Sequence, residues 1–417
     1  MENSKKKLLI ISDDLRSTSG VGMQTRFLVE TLVSTGKYTV RQIGAALKHQ
    51  SHKVEWVHPE IAILPVDGFG DPDMLRRILA TEKPDALIIF TDPRFFGYVF
   101  HMHDEIQQIC PIIYNHLWDQ CEMPPTYNKL MYECVDYFHC LNYPTYEFVK
   151  SMHPEKVSWT PHALPSSIYC PLKPEEKKRI REFAVPDFNK NHFIVGWLSR
   201  NAHRKRSADV IWTFKKFLDK VKKETGKDDV SILMHTDPHD VEGPSLKHIV
   251  SEFGLNKHVI FSTNALPIPD MKNIYNCADV TLSMSYAEGF GLSVLESLYC
   301  GVPVIATETG GMTRQIRNFE TGEEYGKVIK PITKKLVGHQ EVPFIIEDIV
   351  DNDQVADALF DFYQKTPKER SDIGKKGREY VLKEFSVETL QKNWDESIEK
   401  ITKNYTENKK TWRMETL

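Results

Sequence analysis

The chain has 417 residues, of which 41% are hydrophobic and 27% charged, with a formal net charge of -4. That length exceeds one ordinary core and implies roughly two to three domains. The charge balance calls for no polyanionic partner, so it leaves nucleic acid open without pointing to it. The seven cysteines are scattered, odd in number and form no C-x-x-C pair, which favours a reducing compartment over a disulfide framework.

At the start, Lys5 to Lys7 precede an apolar run of only Leu8 to Ile11 before Ser12, too short for a signal peptide. No stretch approaches the roughly 18 apolar residues of a spanning helix. The cytoplasm is therefore the expected location, with peripheral membrane attachment left open.

Short apolar runs then alternate with amphipathic segments. Strands are expected at Leu8 to Ser12, Ala86 to Phe90, Ile112 to Asn115, Tyr137 to Cys140 and Val157 to Trp159. Helices are expected over 22–35, 72–82, 125–133 and 143–151. A proline-rich stretch, 160–192, reads as a linker with a short exposed helix. A second series follows, with strands at Phe193 to Leu198, Ser231 to His235, Val259 to Phe261, Val280 to Met284 and Val304 to Ala306. Helices are expected between them, at about 206–223, 244–254, 269–277 and 291–300.

Residues 332–349 fit neither pattern and read as an inserted loop or hairpin. The tail from about 350 is helical, and Phe385, Leu390, Trp394 and Ile398 form a docking face on its last helix, about 386–404. The whole reads as α/β, with two Rossmann-like domains facing across a cleft and a C-terminal helix returning to the first. The boundaries expected are 1–165, 166–385 and 386–417.

The most informative stretch runs from Ser283 to Gly311. A strand, a loop with Gly289 and Gly291, a helix and a second strand follow in that order. This puts Glu288 at a carboxyl edge. The glycines allow close backbone approach, and the helix start carries partial positive charge suited to phosphate. Glu296, in the second helical turn, can reach the same ligand, and a carboxylate suits the paired hydroxyls of ribose or hexose.

Glu288, Gly289-Phe290-Gly291, Glu296 and Cys300 to Val304 resemble the retaining glycosyltransferases of the GT-B architecture, a group that includes bacterial mannosyltransferases and the sucrose and glycogen synthases. The resemblance implies a nucleotide-sugar donor, with a UDP, GDP or ADP carrier, and no separate cofactor. Glu288 would contact the donor sugar and Glu296 the ribose, with backbone N–H groups at Phe290, Gly291 and Leu292 on the diphosphate or sugar. Arg200 and Lys205 fit the family's spacing for cations on the leaving diphosphate, although Arg204 or Arg206 could substitute.

In the first half, Gly20 and Gly22 open a helix after a strand. Thr25 stands where a dinucleotide fingerprint needs glycine, so the pair serves either the family's glycine-rich loop or a structural turn. His116 falls immediately after a strand, at its carboxyl end, where the family often carries a histidine near the donor sugar. Trp118 and Asp119 are candidates for the acceptor pocket. Ala163 departs from the family's glycine after Thr160-Pro161-His162, so that segment receives no ligand role.

No metal site is expected. Asp71-Pro72-Asp73 matches a D-x-D pattern, but an aspartate helix cap explains it more simply. The expected activity is retaining transfer to an unidentified hydroxyl of a glycan, lipid-linked sugar, protein or modified nucleic acid. The alternatives are a sugar-nucleotide epimerase and a non-catalytic nucleotide-sugar-binding protein.

Overall fold

The computed structural model describes residues 5–49, 51, 53–119 and 128–408. These divide into two units. The first takes in the described residues of Met1–Leu117, Met123–Ala163 and Val387–Leu417. The second takes in those of Trp118–Glu122 and Leu164–Ser386.

The first unit is built on an eight-stranded sheet. Its strands are β1 (Lys6–Asp13), β2 (Tyr38–Ala45), β3 (Glu55–His58), β4 (Ile61–Pro65), β5 (Ala86–Phe90), β6 (Ile112–His116), β7 (Tyr137–Cys140) and β8 (Val157–Trp159). They lie in the order β3-β4-β2-β1-β5-β6-β7-β8. All pairs are parallel except β3 with β4. The strand order reverses between β1 and β5, the position where open α/β sheets offer a ligand crevice at the carboxyl ends. The inner strand β5, Ala-Leu-Ile-Ile-Phe, is buried at every residue because both faces are covered.

Three strands of this sheet, β2 to β4, are absent from the sequence reading. In β2, Arg41 and Gln42 interrupt the apolar run. Gln42 is nonetheless fully buried. Its amide donates to Ser12 Oγ at 2.9 Å and Asp13 O at 2.8 Å, and its Oε1 accepts from Leu15 N at 3.1 Å. Tertiary hydrogen bonds thus offset the burial of a polar side chain that local patterning cannot justify.

The helix Val387–Asn408 closes this unit, placing Leu390, Trp394, Ile398 and Ile401 in its core with Leu8, Ile10 and Val40. Trp394 stacks on His139 at 3.9 Å between ring centroids. The His139 ring nitrogens pair with Thr160 Oγ1 and Ser397 Oγ, each at 2.8 Å. Phe385 does not share this face, which corrects the expected docking stripe. It ends the preceding helix, Pro367–Glu384, and its carbonyl accepts from Tyr299 Oη at 2.8 Å within the second unit. The helix expected over 125–133 is found at Lys129–Cys134, its first residues lying outside those described, as does the tail beyond 408.

The second unit holds a six-stranded parallel sheet of β9 (Phe193–Leu198), β10 (Val230–His235), β11 (Val259–Ser262), β12 (Val280–Ser283), β13 (Val304–Thr307) and β14 (Gly326–Ile329). Its order, β11-β10-β9-β12-β13-β14, reverses between β9 and β12. The core gathers Trp197, Phe214, Phe217, Leu282 and Leu359. Residues 332–349 form an antiparallel hairpin, β15 (Thr333–His339) with β16 (Val342–Ile349). Among the described residues no helix is long and apolar enough to cross a membrane.

Candidate functional site

The switch point of the second sheet carries the charged groups. β12 ends at Ser283, and the chain then passes through Ser285, Glu288 and Gly289 into the helix Leu292–Tyr299. Gly291 precedes that helix with φ +87°, and a Cβ there would sit 2.5 Å from Met312 Cγ. Only glycine meets both demands. Gly311 packs as closely, since an added Cβ would lie 2.4 Å from Phe290 Cα, and its N–H donates to Glu288 O at 2.9 Å. The site loop is thus braced by backbone from the segment after β13.

Glu288 is buried, and three side chains converge on its carboxylate. The Ser285 hydroxyl donates to Oε1 at 2.6 Å, and Lys205 Nζ donates to the same oxygen. Arg204 donates from one guanidinium nitrogen to Oε2 at 2.9 Å and to Ala287 O at 3.2 Å. Burial pushes the Glu288 carboxyl up, but the Lys205 and Arg204 charges outweigh it and hold the group at about 2. Glu288 is therefore an anion across the physiological range. Lys205 and Arg204 thus set two cations against this one buried carboxylate. Asp119 stands 3.8 Å from Arg204 on the exposed side.

Glu296 has a different setting. Tyr169 donates to its Oε1 at 3.0 Å and Tyr275 to its Oε2 at 2.5 Å. No cation faces it among these contacts, and burial pushes its carboxyl up to about 7. Two carboxylates eight positions apart thus differ in charge state near neutrality.

The remaining residues singled out from sequence lie as follows. Arg200 is exposed and rests on Asp240, at 2.6 and 3.1 Å. Arg206 is buried and turned away from Glu288, its Nε donating to Asp209 at 3.0 Å. Phe290 is buried, and its carbonyl accepts from Gln315 at 2.6 Å. Leu292, half-buried, is the first residue of the helix.

In the first unit, Gly20 opens the helix Gly20–Ser34, and Ser19 caps it by accepting from Gly22 N at 3.0 Å. A Cβ on Gly22 would come within 2.6 Å of Asp14 O, so this glycine allows the helix start to lie against the end of β1. The Ser19 hydroxyl also donates to buried Asp13 at 2.6 Å. His116 is fully buried at the end of β6, 3.2 Å from the Tyr132 hydroxyl and enclosed by the rings of Tyr114, Tyr132 and Phe138. Burial lowers it to about 3, so it is a neutral imidazole. Asp71 caps the helix Pro72–Glu82 by accepting from Met74 N.

Sequence reasoning missed Ser285, Tyr169, Tyr275 and the bracing role of Gly311. Ser285 sits within the stretch that signalled the site, three residues before Glu288. The tyrosines carry no sequence signal, because they come from the linker and from another helix.

A strand–glycine loop–helix unit at the switch point of a parallel sheet, with a buried glutamate under two cations, is the candidate site for an anionic ligand in this Rossmann-like unit. Residues 178–325 match the family model described as Glycosyl transferases group 1. The D-inositol 3-phosphate glycosyltransferase of Acidothermus cellulolyticus is 37% identical over 81 residues, 19% of this chain and 18% of that protein. That of Paenarthrobacter aurescens is 36% identical over 78 residues, 19% of each chain. The chain thus spans less than a fifth of the length of these curated relatives in the matched stretch. The fold likeness is far longer. The sucrose-phosphate synthase of Thermosynechococcus elongatus superposes with a TM-score of 0.72 at 16% identity, over 96% of this chain and 100% of that one. HepE of Anabaena, solved with UDP and glucose, gives 0.69 at 14% identity over 95% and 100%. The chain has the GT-B glycosyltransferase fold of two Rossmann-like domains, and its second unit carries the group 1 glycosyl transferase match.

Proposed function

We propose that the protein transfers a sugar from a nucleoside diphosphate donor to an acceptor hydroxyl, with retention at the anomeric carbon. The observation that carries this reading is the buried Glu288 anion under Lys205 and Arg204 at the sheet's switch point. HepE was solved in complex with UDP and glucose and with UDP-glucose, which supports a UDP-sugar as the first donor to test.

In this reading Glu288 accepts hydrogen bonds from donor-sugar hydroxyls. Lys205 and Arg204 meet the departing diphosphate, aided by the helix start at Gly291 and Leu292. They supply this countercharge from the protein, so no metal ion is assigned a role. Arg200 is a further cation for the diphosphate, available once it leaves Asp240. Glu296 takes the ribose hydroxyls by exchanging its tyrosine partners. Gly20, Gly22 and His116 are proposed ligand-contacting residues of the first unit, with His116 as a neutral hydrogen-bonding group. The bond from the anomeric carbon to phosphate oxygen breaks and a bond to the acceptor oxygen forms on the same face. The acceptor proton passes to the leaving phosphate.

Thermal shift with UDP, GDP and ADP, free and as glucose conjugates, tests the reading, because a ligand bound only by the native state raises the melting temperature. A nucleotide-sugar should stabilise the wild-type protein. Glu288→Ala should abolish the increment of the sugar conjugate over the free nucleotide, and Lys205→Ala should weaken both. Wild-type responses in both variants, or no nucleotide response at all, would remove the proposed site.

A further inference from the structure

The loop that carries Arg204 and Lys205 is held by a residue that does not touch Glu288. His203, Arg204 and Lys205 form a short 3-10 turn, with Lys205 N donating to Ala202 O at 2.9 Å and Arg206 N to His203 O at 3.1 Å. Arg206 ends this turn with φ +55°, in the left-handed region that disfavours side chains other than glycine. Such a conformation persists only where the surroundings over-determine it.

Here they do so through the guanidinium. Arg206 is 6% exposed. Its Nε donates to Asp209 at 3.0 Å, and its two terminal nitrogens donate to Asn352 Oδ1 at 3.0 Å and Val350 O at 3.4 Å. Asn352 in turn donates to the other Asp209 oxygen at 3.1 Å, closing a ring of three side chains. The guanidinium carbon lies 4.8 Å from the ring centre of Tyr286. Tyr286 belongs to the Glu288 loop, and its N–H donates to Arg204 O at 2.8 Å. The carbonyl of Tyr286 accepts from Asp348 N at 2.8 Å, and Glu347 lies 3.1 Å from His203. The base of the β15–β16 hairpin therefore braces both loops of the site.

We infer that Arg206 is a positioning residue for the donor site: its fork to Asp209 and Asn352 and its stack on Tyr286 hold the left-handed turn that sets Lys205 and Arg204 against Glu288. Its significance for catalysis rests on the nucleotide-sugar reading, but the positioning itself does not. The backbone conformation gives a direct discriminator. Arg206→Ala removes the side chain and keeps the unfavourable φ. Arg206→Gly removes the same contacts but adopts that φ freely. The turn should therefore survive better in the glycine variant.

The test is competitive acetylation of lysines in the full-length protein, read by mass spectrometry on peptides from a non-tryptic protease, alongside calorimetric binding of UDP. Lys205 should label slowly in the wild type. It should label on the order of tenfold faster in Arg206→Ala, with Arg206→Gly between the two, because a misplaced site loop exposes its groups. UDP affinity should fall by roughly 10–100-fold in Arg206→Ala and by less in Arg206→Gly. Asn352→Ala, a milder loss in the same ring, should shift labelling in the same direction and decides the matter if Arg206→Ala does not fold. Wild-type labelling of Lys205 in folded Arg206→Ala and Asn352→Ala would overturn the inference. So would equal loss of UDP affinity in both Arg206 variants with Lys205 still protected in the glycine one, since Arg206 would then contact the nucleotide itself. If the labelling contrast holds while the wild type binds no UDP, GDP or ADP, the positioning stands and the nucleotide-sugar reading falls.

Discussion

The two site glutamates should pull stability in opposite directions with pH, and Glu296→Gln isolates one of them. The Glu296 carboxyl is raised from 4.5 to about 7, chiefly by burial, despite the hydrogen bonds from Tyr275 and Tyr169. A group whose folded value lies above its unfolded value stabilises the fold fully below about pH 4.5. That contribution disappears as pH rises through about 7. The gap corresponds to about 3 kcal/mol. Glu288, held at about 2, behaves in the opposite sense: its contribution is complete above about pH 4.5 and disappears as pH falls toward 2.

Between pH 5 and 8 only the Glu296 contribution therefore changes within this pair. The measurement is urea denaturation of the wild type and Glu296→Gln at several pH values across that window, taking the difference between them so that shared titrations cancel. The wild type should lose about 2.5 kcal/mol relative to the variant from pH 5 to 8. Parallel curves would show that Glu296 ionises normally and would refute the account of its burial.

Further outcomes follow from individual contacts. Trp394→Ala removes a fully buried indole and its stack on His139, and should destabilise the first unit by about 3–5 kcal/mol in denaturation experiments. Gly311→Ala places a Cβ against Phe290 Cα and Gly289 O, neither of which can swing aside. It should cost about 1–3 kcal/mol and blunt the thermal response to nucleotide. An unchanged melting temperature would show that the Glu288 loop is not braced there. Arg200→Ala should reduce nucleotide-induced stabilisation less than Lys205→Ala does, because Arg200 is mostly exposed on Asp240 whereas Lys205 is tied to Glu288. The reverse ranking in the same thermal assay would make Arg200 the principal cation.

Much of the fold was legible in the chain. Strands such as β5 and β9 read as continuous apolar runs because both faces of a parallel sheet are covered, and their limits match the structure. The helix after Gly291 and the turn at Gly301 also follow from local chemistry, since a left-handed glycine ends the one and begins the other. The strand β2 was not legible, because Gln42 is buried through partners whose proximity depends on the β1–β2 pairing.

The site divides in the same way. Sequence alone placed Glu288 in a strand–glycine loop–helix unit, since that geometry is built from residues within one short segment. It also placed a basic stretch in the loop after β9. Only the tertiary structure decided that Lys205 and Arg204 meet Glu288 while Arg200 rests on Asp240 and Arg206 turns inward. That choice depends on a left-handed turn held by Tyr286 and Asn352, which are distant in the chain. It likewise decided the charge states, because distant segments bring two cations to Glu288 and two tyrosines to Glu296.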